Sequence, residues 1–192
     1  MLGKELERFE ERFADLVKKK YVVGVGSGYD ALYISVRCVE GDYVFVPKPL
    51  HESTLNAVTL AGKSLVEDPK DADIIIPTIS SRKNWAMSTY YNFAYNAVVV
   101  EDACRSIGIR RRASPAAITS CYSFHPLKLL HCYGDGGAIA LNDGVLYKTI
   151  KEFRNHGRVG KSKHYGVGVN SRLDEIQAAV LNVMMDKLKG RI

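Results

Sequence analysis

Asp102 ends an apolar run in VVVED, and Lys128 stands in the loop SFHPLK, just ahead of a glycine-dense turn from Gly134 to Gly137. A carboxylate at a strand end and a lysine in a following loop are groups that pyridoxal phosphate (PLP) chemistry needs from a protein. The amine forms a Schiff base with the cofactor aldehyde. The carboxylate pairs with the pyridinium nitrogen and keeps it protonated, so that the ring can take up electrons. Acids and lysines also populate any protein surface, so the pair takes its meaning from the elements that position it.

Leu2, Leu6, Phe9, Phe13 and Leu16 recur at three- and four-residue spacing. They predict a helix with one apolar face, ending near Lys18–Lys20, where positive charge suits the helix dipole. Tyr21–Val25 reads as a buried strand running into GVGSGYDAL, where Gly24, Gly26 and Gly28 permit a tight turn and a helix begins near Tyr29 or Asp30. Such a turn offers free N–H groups and a positive dipole end to an anion. Tyr29 stands where the dinucleotide fingerprint G-x-G-x-x-G needs glycine, and the Walker pattern is absent. The turn is therefore either a phosphate cradle of another kind, with Ser27 adding a hydroxyl, or a plain strand–helix connection.

Ala31–Val39 continues that helix, and Tyr43–Val46 is the next strand. Pro47 and Pro49 break the chain. HESTLNAVTLAG then opens a helix near Ser53 or Thr54 that stops at Gly62. His51 precedes it at the strand edge where open α/β sheets bind ligands. It is either a ring that stacks on an aromatic cofactor or a surface histidine. Lys63–Asp68, Ala72–Pro77, Val98–Val100, Ile118–Phe124 and Gly137–Leu141 read as strands, the third delivering Glu101 and Asp102 to the ligand edge. Ser80–Asn96 reads as loop plus helix, Arg110–Arg112 as a charged loop, Val145–Phe153 as a helix and Lys161–Gly168 as a polar loop. Asn170 or Ser171 is expected to cap a last helix, Leu173–Leu188, with an apolar stripe of Leu173, Ile176, Ala179, Val180, Val183, Met184 and Leu188. Strands alternating with helices predict an α/β domain with a mostly parallel sheet.

The chain of 192 residues suffices for one substantial core, and its 46% hydrophobic and 25% charged residues are those of a globular domain. The net charge of +6 comes from scattered lysines and arginines. With no zinc spacing, no metal motif and no aromatic-and-basic RNA motif, an anionic small substrate suits it better than nucleic acid. The four cysteines, Cys38, Cys104, Cys121 and Cys132, form no CxxC and read as buried free thiols. With no signal peptide and no apolar run of membrane-spanning length, the expectation is a cytoplasmic protein.

Seven stretches in order, GVGSGYDAL, VFVPKPLHESTLNAV, VVVEDACRSIG, YSFHPLK, YGDGGAIALND, FRNHGR and GVNSRLDEIQAAVL, resemble the DegT/StrS-type sugar aminotransferases, PLP enzymes of aminotransferase fold type I. The resemblance covers residues 5 to 188. It implies the large domain of that fold, with a mostly parallel sheet and helices on both faces. It implies Lys128 as the Schiff-base lysine and Asp102 as partner of the pyridine nitrogen. His51 falls where the family places a ring that stacks on the cofactor, and Ser27, Gly28 and Ser123 fall on phosphate-binding positions. Asn170 resembles the asparagine that reaches the phosphate of the neighbouring subunit's cofactor, which implies a homodimer with shared sites. Asp30 is expected to cap its helix. The implied activity is transfer of an amino group, by family habit from glutamate, to a keto group of a nucleotide-linked sugar. Relatives with histidine in place of this lysine are sugar dehydratases.

Departures from the family pattern qualify the reading. Tyr29 replaces the usual Thr, His131 a common glycine, and Arg105 the usual Gln or His. Arg105 would put a positive charge near the cofactor's 3-oxygen. The segment between Gly62 and Ile74 is short. The chain stops at Ile192, where family members continue into a smaller domain that closes over the site, so the expectation is a single PLP-binding domain, 1–192, with the small domain absent. That leaves an alternative, a non-catalytic binding or regulatory relative, and a further one in which a separate chain supplies the missing domain and docks on the last helix.

Overall fold

The computed structural model describes residues 3–48, 51–80, 87–108, 112–159, 163–164 and 166–188. Leu2, Pro49, residues 81–86, Arg110, Arg111 and Lys161, on which parts of the sequence reading fall, lie outside the described residues. The apolar runs form β1 (Tyr21–Val25), β2 (Tyr43–Phe45), β3 (Ser64–Val66), β4 (Ile74–Ile75), β5 (Val98–Asp102), β6 (Thr119–Ser123) and β7 (Gly137–Leu141). They make one sheet in the order β1-β7-β6-β5-β4-β2-β3. From β3 to β6 every neighbouring pair is parallel. β7 runs antiparallel between β6 and β1. The helices are α1 (Lys4–Val17), α2 (Gly28–Cys38), α3 (Glu52–Leu60), α4 (Met87–Tyr95), α5 (Gly144–Phe153) and α6 (Glu175–Leu188). A small antiparallel pair, β8 (Arg158–Val159) and β9 (Lys163–His164), lies apart from the sheet.

Strand side chains alternate between faces, and here both faces are apolar. Val23, Val25, Val44, Ile74, Val100 and Ile139 pack with residues of α2, α3 and α5. Val22, Tyr122, Ala138 and Ala140 pack with α1 and α6. Ile75 and Val99 pack with Tyr91 of α4. On the α1 side Phe9, Phe13, Tyr122 and Phe124 meet edge to face at ring distances of 5.0–5.3 Å, a favourable geometry for aromatic rings. The result is an α/β layer with a mostly parallel sheet and helices on both faces, as expected.

β1 is an edge strand, and its exposed backbone groups are covered by side chains. Gly24 N–H donates to Glu10 Oε1 (2.8 Å). Gly24 O accepts from the buried Arg154, which also pairs with Glu10 (2.7 Å).

Several local expectations are corrected. α1 ends at Val17 with Lys18 left-handed (φ 60°), but Lys19 does not serve the dipole: it is buried and donates through Nζ to Ala117 O (2.8 Å). α2 is capped by Ser27, which accepts from Asp30 N–H, so Asp30 is not the cap. α3 begins at Glu52, capped by the His51 ring. α6 begins at Glu175, beyond the reach of Asn170 or Ser171 as caps. Asn170 instead bridges Asn155, and Ser171 Oγ serves the α2 turn. The buried face of α6 is Ala178, Leu181, Asn182, Met185 and Leu188, while Ile176 and Val183 are 75% and 57% exposed. The apolar residues surround this helix, so their spacing does not single out the inward side.

Candidate active site

The chemistry begins where β5 ends. Glu101 and Asp102 are both buried, but strand alternation sends them to opposite faces. Glu101 turns toward the α4 side and accepts from Ser88 Oγ (3.0 Å), Ser120 Oγ (2.7 Å) and Ser114 N–H (3.2 Å). It is a structural carboxylate and does not reach the ligand edge, which corrects that part of the sequence reading. Asp102 lines a cavity at the C-terminal ends of the parallel strands. Its Oδ1 accepts from Cys104 N–H (3.1 Å) and its Oδ2 from Thr78 Oγ1 (3.3 Å), which fixes the carboxylate plane. Thr78 was not among the sequence candidates. Its one signal is its place just after the ADIIIP run, at the same strand edge.

The α2 N-terminus forms another wall. Ser27 Oγ accepts from Asp30 N–H (3.0 Å), which leaves its own proton free to donate. The turn is braced by Ser171 Oγ, which accepts from Gly26 N–H (3.0 Å) and donates to Asp30 Oδ2 (2.8 Å). Gly28 lets the turn approach β6: a Cβ there would lie 2.5 Å from Ser123 Cβ and 3.0 Å from Cys104 Sγ. Ser27, Gly28 and Ser123 thus meet at one end of the cavity, beside the positive end of a helix dipole, a setting that suits a phosphate.

Lys128 sits in the loop between β6 and β7, whose base is closed by Phe124 N–H to Gly136 O (2.8 Å) and Cys132 N–H to Phe124 O (3.1 Å). Its N–H donates to His125 O (2.8 Å), and its carbonyl accepts from His131 Nδ1 (3.0 Å). Lys128 lines the cavity with Asp102, His51 and Arg105. His51 Nδ1 accepts from Ser53 N–H (3.3 Å) and Ser53 Oγ (2.7 Å), which leaves the ring proton on Nε2. Arg105 is exposed. The cavity encloses about 940 Å³, near the top of the range of roughly 300–1,000 Å³ for small-molecule sites. Tyr29, Ser53, Cys104, His125 and Asp135 also line it. Asn170 is exposed and is not part of this wall.

Cys104 is the cavity's one cysteine among the described residues. Burial and then the neighbouring Asp102 charge push its thiol well above the ordinary value. Burial also raises Cys38 and Cys132 to about 11, and raises Cys121. Protonated thiols are poor nucleophiles, so Cys104 is a poor candidate for the nucleophile of this cavity.

This fold is that of a type I aminotransferase large domain. The DegT/DnrJ/EryC1/StrS aminotransferase family model matches residues 1–79 and 89–192, and the chain belongs to that family. It is 33% identical, over its whole length, to the dTDP-3-amino-3,4,6-trideoxy-alpha-D-glucose transaminase of Streptomyces venezuelae. Over 94% of its length it is 35% identical to the UDP-2-acetamido-2-deoxy-3-oxo-D-glucuronate aminotransferase of Pseudomonas aeruginosa. The chain spans 58% of the length of each of these relatives. The crystal structure of S. venezuelae DesV in complex with a ketimine intermediate superimposes with a TM-score of 0.88 at 32% identity, covering 99% of this chain and 58% of that one.

Proposed function

We propose that this chain binds pyridoxal 5′-phosphate in the cavity and transfers an amino group from an amino-acid donor, glutamate by family habit, to a keto group of a nucleotide-linked sugar. The observation that carries the reading is the meeting of Asp102, Lys128 and the α2 N-terminus around one cavity. The residues fit the cofactor on geometric grounds. The close approach at Gly28 makes a cup whose hydroxyls, Ser27 and Ser123, would hold the phosphate. Asp102, buried and held in plane by Thr78 and the Cys104 N–H, would hold a proton at the ring nitrogen. His51, with its Nδ1 tied to its own helix, would lay its ring on the cofactor. Arg105 would stand near the 3-oxygen.

When bound, the cofactor supplies an electron sink for the pair left as a C–H bond beside the amine breaks. Lys128 would hold the cofactor through its amine, and the same amine, when free, would take the proton from the donor's α-carbon as base and return it as acid. The same residues would serve the keto-sugar in reverse. The reading includes a cytoplasmic setting and a homodimer, in which Asn170 reaches the cofactor phosphate of the neighbouring subunit.

The test is the absorbance spectrum of the purified chain with PLP, followed by L-glutamate. A band of lysine-bound cofactor that shifts on adding glutamate supports the proposal. The same band in Lys128→Ala, or no band in the parent chain, overturns it.

A further inference from the structure

Asp30 stands three residues after Ser27, which caps α2. In a capping box, the acid at this place reaches back to the N–H of the capping serine. Here it is turned the other way. Its Oδ2 accepts from Ser171 Oγ (2.8 Å) and lies 2.9 Å from where a Cβ on Gly26 would stand. Among the described residues Ser171 is the one donor to this carboxylate, which forms no ion pair. Neither Asp30 nor Ser171 lines the cavity, whereas Ser27, Gly28 and Tyr29 do. The N–H groups of those three residues donate to no acceptor among the described residues. Ser171 is itself fixed. It is buried, and its N–H donates to Arg154 O (2.9 Å). Its Oγ accepts from Gly26 N–H (3.0 Å), so the hydroxyl proton is committed to Asp30.

We infer that Ser171 is a positioning residue for the cofactor phosphate: by holding Asp30 on the outer side of the turn, it keeps a carboxylate off the N–H groups that the phosphate needs. The inference rests on the proposed PLP-binding function and adds the device that keeps its anion site open. Free N–H groups at the positive end of the α2 dipole attract any anion, and Asp30, on the same first turn, is the anion nearest in sequence. A carboxylate that reached Ser27 N–H would take one donor from the phosphate and set like charge against it. Held by Ser171, Asp30 still favours the helix start through its charge, without entering the cup.

The test is titration of the full chain and its variants with PLP, and with pyridoxal, which lacks the phosphate, followed by the absorbance band of lysine-bound cofactor. Ser171→Ala is expected to weaken PLP roughly tenfold and to leave pyridoxal unchanged. Adding Asp30→Ala to that variant restores the PLP affinity, since no carboxylate is left to compete. Both proteins lack the acceptor for Gly26 N–H, so the comparison isolates Asp30. Asp30→Glu needs no change at Ser171: its longer side chain completes the capping box and should weaken PLP in the same selective way. Equal losses for PLP and pyridoxal in Ser171→Ala, or a PLP loss that Asp30→Ala does not recover, overturn the inference, and so does parent-like PLP affinity in Asp30→Glu. In each of these cases the parent band is normal and the proposed function stands. A missing band in the parent chain sinks that function and this inference with it.

Discussion

His131 donates from Nδ1 to the carbonyl oxygen of Lys128 at 3.0 Å. The loop that carries Lys128 is therefore pinned on the C-terminal side of the lysine by a side chain, and on the N-terminal side by the bond from Lys128 N–H to His125 O. The His131 ring in turn meets Tyr133 edge on, at 5.1 Å.

His131→Gly removes that bond and adds backbone freedom next to the lysine. PLP retention, measured by equilibrium titration of the absorbance band, is expected to weaken about three- to tenfold. His131→Asn, which keeps a donor of shorter reach, is expected to fall between the two. Equal affinities in all three proteins would show that the loop is set by its backbone bonds alone.

The two acids at the end of β5 give opposite expectations. Glu101→Gln replaces an acceptor of three hydrogen bonds with an amide whose NH₂ can accept none of them, at a cost of about 2–3 kcal/mol in urea unfolding. The cofactor band should survive wherever the variant is folded. Asp102→Asn is expected to fold with near-parent stability but to lose the charge at the ring nitrogen, lowering the glutamate half-reaction by roughly a hundred- to thousandfold. A half-reaction in Asp102→Asn at the parent rate would contradict the assigned role.

Much of this was legible in the residues themselves. Val98–Val100 and Gly137–Leu141 are runs whose apolar character suffices to predict strands; Asp102 closes the first, and Lys128 lies in the loop that leads to the second. What local spacing could not convey is direction and distance. The separate duties of Glu101 and Asp102 depend on what each sheet face is packed against. Thr78 meets Asp102 across a strand pair. Ser171 braces Gly26 and Asp30 from a segment far along the chain, although its position suggested a local cap. In α6 the apolar residues do not choose a face, and a polar residue, Asn182, is buried by bonding Arg12 and Glu5.

Gly28→Ala tests the phosphate cup. The added methyl would fall 2.5 Å from Ser123 Cβ, so the α2 turn or β6 must shift. Overpacking of this kind costs about 1–3 kcal/mol, and the displaced N–H groups should weaken PLP binding. Free inorganic phosphate should then no longer compete with PLP for the parent-like site. A variant with unchanged stability and unchanged phosphate competition would show that the turn is looser than its contacts imply.

The last expectation concerns the joint between the two ends of the described chain. α1 has Gly3 at its cap position and no side chain of its own to satisfy its first turn. Glu175, at the start of α6, does so from across the fold, accepting from Gly3 N–H (2.9 Å), Glu5 N–H (3.1 Å) and Leu6 N–H (3.1 Å). Burial pushes this carboxyl up, but the three N–H groups outweigh it and hold it below the ordinary carboxylate value. A carboxyl depressed in the folded state adds stability above its unfolded pKa, and that stability is lost as pH falls through the folded value. Glu175→Gln should therefore be less stable than the parent near neutral pH, and the gap should narrow as the pH is lowered to about 3, below the ordinary carboxylate range. Urea melts of both proteins at the two pH values measure it. A gap that stays constant would mean that Glu175 contributes through packing and not through its charge on the α1 N-terminus.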